Sequence, residues 1–160
     1  GSVLSAKIKE MVVIKTSHIN QCNYWFAHNT SLGQAAGISE EQVIAIGTDE
    51  YLESDHFTNR EKMAILWAEH VTKNTAKEEN GVFERVREYF SEEEIIELTL
   101  ICGFFNLFNR FMDSLCIPLE VQGEVDKIKK SVSLDPEKVE QYLHRMSDAW
   151  PDEIPPPNND

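Results

Sequence analysis

The strongest constraint on the fold is the stretch from Glu92 to about Leu115. Ser91 followed by Glu94 opens it as a capping box, in which each side chain satisfies a backbone N–H of the first turn. As a helix it spans roughly 36 Å at 1.5 Å per residue. Between Ile95 and Phe108 its apolar side chains run all the way round the axis, the pattern of a buried central helix. Asn106, Asn109 and Arg110 interrupt that surface. An interior arginine calls for a carboxylate such as Glu97, or one from another helix, in a structural ion pair. A chain of 160 residues built on such a helix is expected to be one all-α domain.

The other periodic segments agree. Ile8, Met11, Val12 and Ile14 mark a helix from about Leu4 to Ser17, with Lys7, Lys9 and Lys15 away from its apolar side and Glu10 close to it. Gly37 is a helix stop, and Ser39 with Gln42 restarts a short helix to about Ile46. Residues 47–56 read as a loop. Thr58 caps a helix to about Thr72 that puts Met63, Leu66, Trp67 and His70 on one face, His70 as a hydrogen-bonded core or rim residue. A polar linker over 74–80 leads to a helix over 82–89. Pro118 closes the helical core, residues 121–133 are mixed, and Asp135-Pro136-Glu137 begins a last helix to about Trp150 with Val139, Leu143 and Met146 as its stripe. The expected organisation is a domain over 3–119, a helical extension over 120–150 and an irregular, proline-rich tail over 151–160. Strong strand signals, internal repeats and glycine-rich phosphate loops are absent.

The chemistry concentrates in Ser17–Asn29, which brings together a thiol, a phenol and two imidazoles. With Asn20 as cap, the pattern predicts a helix from about Gln21 to Ala36. Cys22 then falls in the first turn, where free N–H groups and the helix dipole favour a thiolate. His18, Tyr24 and His28 lie near it in sequence, and Glu10 is twelve residues upstream. Glu10 reads either as a surface partner of Lys7 or Lys15 or as a proton-handling group for Cys22. Two negative charges about 4 Å apart repel by roughly 1 kcal/mol even in water, so Glu10 would carry the proton or orient a histidine that does. Cys102 and Cys116, on and after the apolar helix, read as packing residues.

Glu10, eleven intervening residues and Cys22 with Tyr24 resemble the active-site segment of the AhpD-like (carboxymuconolactone decarboxylase-like) family. The second half resembles it too, through residues 90–100 and 105–110. Peroxidase members carry Glu-x11-Cys-x2-Cys-x3-His. Here Trp25 stands at the second cysteine and Asn29 at the histidine, with His28 displaced by one. The resemblance implies an AhpD-like helical bundle that assembles as a homo-oligomer. It also implies hydroperoxide reduction through Cys22, with Glu10, His28, Tyr24 and His18 as the candidate proton-handling residues. The single cysteine followed by Tyr24 is similar to the peroxidase domain of sestrins. Without a second cysteine in the motif, regeneration calls for an external thiol, or for Cys102 or Cys116 if either is near. Two alternatives stand beside this: a decarboxylase-like lyase acting on an organic acid through His28, Glu10 and Tyr24, and a scaffold with a filled pocket. No cofactor and no metal is expected.

Charge narrows the partners. The net charge is −13, yet residues 1–40 hold three lysines and two carboxylates, a net +1, while the rest is acidic. Nucleic acid is therefore excluded as a partner. The charge-free apolar run Leu98–Phe108 is too short to span a bilayer, so no membrane is expected. Three cysteines without framework spacing fit free thiols in the cytoplasm. Gly1-Ser2 reads as a cloning remnant, with the natural N-terminus missing.

Overall fold

Residues 2–78, 81–120, 125 and 136–148 are described by a computed structural model, and no strand occurs among them. The helices are α1 Ala6–Ile19, α2 Asn23–Ala35, α3 Glu40–Ile46, α4 Asn59–Thr72, α5 Val82–Arg87, α6 Glu92–Ser114 and α7 Pro136–Asp148, with a 3₁₀ turn at Glu50–Leu52. The mixed segment and the irregular tail expected over 121–133 and 151–160 lie outside the described residues, except for buried Val125. Capping boxes open α3 at Ser39, α4 at Thr58 and α6 at Ser91, as the sequence pattern requires.

Four helices end alike. Past α1, α2, α4 and α6 the chain makes the paired return bonds of a Schellman motif. They are Cys22 N–H to Ser17 O with Gln21 N–H to His18 O, and Ile38 N–H to Gly33 O with Gly37 N–H to Gln34 O. Thr75 N–H to His70 O pairs with Asn74 N–H to Val71 O, and Ile117 N–H to Met112 O with Cys116 N–H to Asp113 O. The pivots Gln21, Gly37, Asn74 and Cys116 have φ of 57°, 92°, 59° and 51°. Glycine suits that position; Gln21 and Cys116 instead hold a β-carbon there at a cost of about 1 kcal/mol each.

α1 is the hub, packing on α2, α4 and α6. Its Met11, Val12 and Ile14 are fully enclosed with Ile65 and Ala68 of α4 and Leu98 and Cys102 of α6. α2 approaches α1 closely at Gly33, where a β-carbon would sit 2.9 Å from Ile14 Cδ1 and 2.9 Å from Ile38 Cδ1.

Three expectations about α6 change. α6 is the long helix anticipated, but one chain buries only its inner face, through Ile95, Leu98, Cys102 and Asn109. Ile96, Leu100, Phe104, Leu107, Phe111 and Leu115 on the outer face are each more than half exposed. All-round apolarity marks a surface that something must cover, and a single copy of these helices does not reach around it. By length and composition α6 also passes for a membrane-crossing helix, which the eleven-residue reading did not anticipate. It is packed by its inner face on α1 and α4 and opens with Glu92, Glu93 and Glu94. Arg110 is not an interior arginine. It is exposed and donates to the Asn106 carbonyl and side-chain oxygens at 2.9 and 2.8 Å, while Glu97 receives the backbone N–H groups of Val3 and Leu4.

Lys15 moves the other way, from an expected surface position to 2 % exposure. Its ammonium donates to the Ile46 and Thr48 carbonyls at 3.2 and 3.1 Å, pairs with Glu69 at 3.4 Å and lies 4.6 Å from the centre of the Tyr51 ring. Glu69 also receives the Tyr51 hydroxyl at 2.8 Å and Lys73 at 2.6 Å. The network ties α1 to α4 and to the turn after α3. His70 is the hydrogen-bonded histidine expected, with Thr75 Oγ1 2.8 Å from Nδ1.

Candidate active site

The Schellman turn that ends α1 delivers Cys22 to the first position of the next helix. Cys22 is the N-cap of α2, and Asn20, the expected cap, instead ends α1. The Cys22 carbonyl accepts the first helical bond, from Phe26 N–H at 2.9 Å. The amides of Trp25 and Tyr24 act on the sulfur, without a cap hydrogen bond of ordinary geometry. The residue is buried at the inner end of a cleft of about 360 Å³ lined also by Ser17, His18, Gln21, Asn23 and Phe26.

That setting reverses the expected polarity of the thiol. Burial pushes the Cys22 pKa above its usual value, and the Asp113 carboxylate at the end of α6 adds to the shift as hydrogen-bond acceptor and as charge. The Trp25 and Tyr24 amides pull it down, without prevailing. Cys22 therefore rests as a neutral thiol beside a carboxylate, not as a thiolate. Asp113 is 91 residues away in sequence, and no local pattern announces it.

His18 shares the cleft, its ring 6.1 Å from that of Phe26 and against Gly47. Burial and the nearby Lys15 charge lower its pKa, against a smaller opposite pull from Asp49, so its ring is neutral near pH 7.

Glu10 is elsewhere. Its Cβ lies 3.6 Å from a β-carbon built on Gly33, which is about 16 Å along α2 from Cys22 at 1.5 Å per residue. Burial raises its pKa to about 7, with Lys9 opposing, and Oε2 has no partner. Neither anticipated lysine pairs with it: Lys7 bonds Glu61 at 2.8 Å and Lys15 bonds Glu69. Asn29, at the family's histidine position, is buried with Nδ2 unpartnered.

Tyr24 and His28 do come together, but on another side of α2. At 3.6 residues per turn Cys22, Phe26, Asn29 and Gly33 share the side toward α1, and Tyr24 and His28 lie roughly opposite. Their rings stack with centroids 4.3 Å apart. Glu120, which sequence reasoning missed, joins them by accepting the Tyr24 hydroxyl at 3.1 Å and lying 3.3 Å from His28 Nε2. His28 Nδ1 is 2.8 Å from the Tyr24 carbonyl, which can only accept, so Nδ1 carries a proton. Trp25, at the second-cysteine position, packs edge-on against Phe105 and Phe108 of α6.

A larger cleft of about 680 Å³ beside α3 is lined by Glu41, Ile44, Glu50, Glu53, Asp55 and His56. It holds no thiol, so the chemistry points to the smaller one. No cluster of metal-ligating side chains occurs among the described residues.

Comparison with known proteins agrees with this architecture. The carboxymuconolactone decarboxylase family matches residues 1–70, which include Glu10, Cys22 and α4 up to His70. An uncharacterised Bacillus subtilis protein, YdfG, is 28% identical over 110 residues, covering 68% of this chain and 74% of that protein. A protein of unknown function from Agrobacterium tumefaciens, a candidate AhpD antioxidant defence protein, superposes with a TM-score of 0.68 at 25% identity, covering 74% of this chain and 81% of its own. The debrominase Bmp8 in complex with 2,3,4-tribromopyrrole shares the fold, with a TM-score of 0.61 at 22% identity over 78% of this chain and 67% of that one. The match of residues 1–70, the all-α bundle and the Glu10–Cys22 spacing support an AhpD/carboxymuconolactone decarboxylase-like assignment.

Proposed function

We propose that this chain is a peroxidase-related antioxidant protein that reduces an organic hydroperoxide through Cys22 and is recharged by an external thiol in the cytoplasm. The observation that carries the reading is the Cys22 thiol at a helix N-terminus, with the Asp113 carboxylate against it and an open cleft in front. The Cys22 thiol loses its proton into the cleft, and the thiolate attacks the terminal peroxide oxygen. The O–O bond breaks, Cys22 becomes a sulfenic acid, and the proton passes to the leaving alkoxide, directly or through the neutral His18 ring. A pocket open to about 360 Å³ also weighs against the scaffold reading, which calls for a filled one. The test is turnover of cumene hydroperoxide with dithiothreitol as reductant. Cys22→Ser should abolish it, and unchanged turnover in that variant would refute the reading.

Asp113 gives a second expectation. Removing its charge lowers the thiol pKa, so Asp113→Asn should speed Cys22 alkylation at pH 7 by several-fold, on the order of tenfold for one pKa unit. Iodoacetamide kinetics resolved by peptide mass mapping reads this directly, and an unchanged rate would remove Asp113 from the site.

The outer face of α6 supports a homo-oligomer, in which a second copy covers Leu100, Phe104, Leu107 and Phe111. Light scattering should show a multimer for the native chain and a monomer for Leu107→Glu. A native monomer at high micromolar concentration would contradict it.

One observation favours a second reading. The stacked Tyr24–His28 pair with Glu120 is an acid–base set suited to a decarboxylase-like reaction on an organic acid, with Glu120 in the place first given to Glu10. It requires an activity that survives Cys22→Ser and is lost in Tyr24→Phe.

A further inference from the structure

A peroxidatic cysteine needs a second thiol to discharge its sulfenic acid, and the motif position for one holds Trp25. Two other cysteines remain. Cys102 is buried on the inner face of α6, its thiol pushed up to about 12 by burial. It also lies about 16 Å along the helix from Asp113, the residue that meets Cys22. Cys116 differs in burial and in position. It is exposed, and its N–H bonds the Asp113 carbonyl at 3.1 Å.

The chain around Cys116 is fixed on both sides. Before it, the end of α6 is fixed to α1 where Ser17 Oγ donates to Asn109 Oδ1 at 3.4 Å, and the Asp113 charge acts on the Cys22 thiol. Four residues after it, Glu120 bonds Tyr24 and lies against His28. Cys116 is therefore held in a short span that crosses the beginning of α2. It also occupies the left-handed pivot of the turn, at φ 51°, where glycine is the ordinary residue and a side chain is strained.

We propose that Cys116 is the resolving thiol of this chain, closing an intramolecular disulfide with Cys22 after each oxidation. This rests on the hydroperoxide reading above. The hydroperoxide converts the Cys22 thiol to a sulfenic acid and leaves as the alcohol. The Cys116 sulfur then attacks the Cys22 sulfur, the S–OH bond breaks, and the hydroxyl leaves as water with the Cys116 proton. An external dithiol reduces the disulfide and is itself oxidised. Closure requires the two Cα atoms within about 7 Å, and residues 114–120 are exposed.

The test treats the full chain with one equivalent of cumene hydroperoxide and maps its thiols by non-reducing peptide mass spectrometry. The expected product is a Cys22–Cys116 disulfide within one chain, unchanged in Cys102→Ser. In Cys116→Gly, which keeps the turn, Cys22 should remain a sulfenic acid and be trapped by dimedone at least tenfold more than in the native chain. Equal trapping in the native chain and Cys116→Gly overturns the proposal, as does a disulfide to Cys102 or between chains. Parallel samples receive diamide, which oxidises neighbouring thiols without a hydroperoxide. A Cys22–Cys116 bridge with diamide, but Cys22 left reduced by hydroperoxide, overturns the hydroperoxide reading and with it the resolving step. Sulfenic acid at Cys22 with no bridge under either oxidant overturns the Cys116 assignment alone.

Discussion

Lys15→Met should lower the free energy of unfolding by about 3–5 kcal/mol, the cost of removing one partner from a buried ion pair. The ammonium is 2 % exposed and holds two backbone carbonyls, those of Ile46 and Thr48. Methionine keeps nearly the same volume, so the loss reports the polar contacts and not a cavity. Glu69 is the electrostatic counterweight. Its burial disfavours the charge, yet Lys73, the Tyr51 hydroxyl and Lys15 together hold its pKa at about 2. A carboxyl depressed in this way contributes stability that is present above pH 4.5 and lost as pH falls through about 2. Urea unfolding at pH 7 should show a midpoint displaced well below that of the native chain. A midpoint unchanged in Lys15→Met would mean that the network is not holding α1 to α4.

Glu10→Gln should stabilise the fold at pH 8 and do little at pH 4. Burial raises the Glu10 pKa from 4.5 to about 7, and one carboxylate oxygen has no partner. A carboxyl raised on folding binds its proton more tightly in the native state than in the unfolded one. Its contribution is therefore fully present below pH 4.5, is lost as pH rises from 4.5 through about 7, and stays lost above. A shift of that size is worth at most roughly 3 kcal/mol, less where solvent reaches the group. Stability against pH, measured by urea titration at half-unit steps, should fall across that window in the native chain and stay flat in Glu10→Gln. The same curve for both proteins would show that Glu10 is ionised at no cost. The position matters because a carboxyl protonated near neutrality, between α1 and α2 and far from the thiol, serves the fold more directly than it serves Cys22.

These particulars show what the sequence could carry. Periodicity and capping boxes placed α3, α4 and α6 because those signals are local: Ser39, Thr58 and Ser91 each act within one turn. The Cys22 helix was legible, but its start was off by two residues, because the turn after α1 is set by Gln21 at a positive φ and not by a glycine. Lys15 was misplaced because a charged residue away from the apolar stripe reads as solvated, and only the tertiary approach of the turn after α3 and of Glu69 encloses it. The site was half legible for the same reason. Cys22 and His18 are neighbours in sequence and share a cleft, and Tyr24 and His28 stack one turn apart. Asp113 and Glu120 arrive from the end of α6 and just beyond, where no spacing rule connects them to Cys22 or His28. Glu10 shows the converse, since its spacing to Cys22 fits the family pattern while the geometry sets it against Gly33.

The most direct measurement is the pH dependence of Cys22 oxidation by cumene hydroperoxide, followed by quench and mass mapping, with Cys102 as control. A neutral thiol beside Asp113 should react through its scarce thiolate, so the rate should climb about tenfold per pH unit from pH 6 to pH 8. The same climb in Asp113→Asn should begin at lower pH. A rate that is flat across this range, or oxidation that appears at Cys102 or Cys116 while Cys22 stays reduced, would contradict the assignment of Cys22 as a neutral resting thiol that does the chemistry.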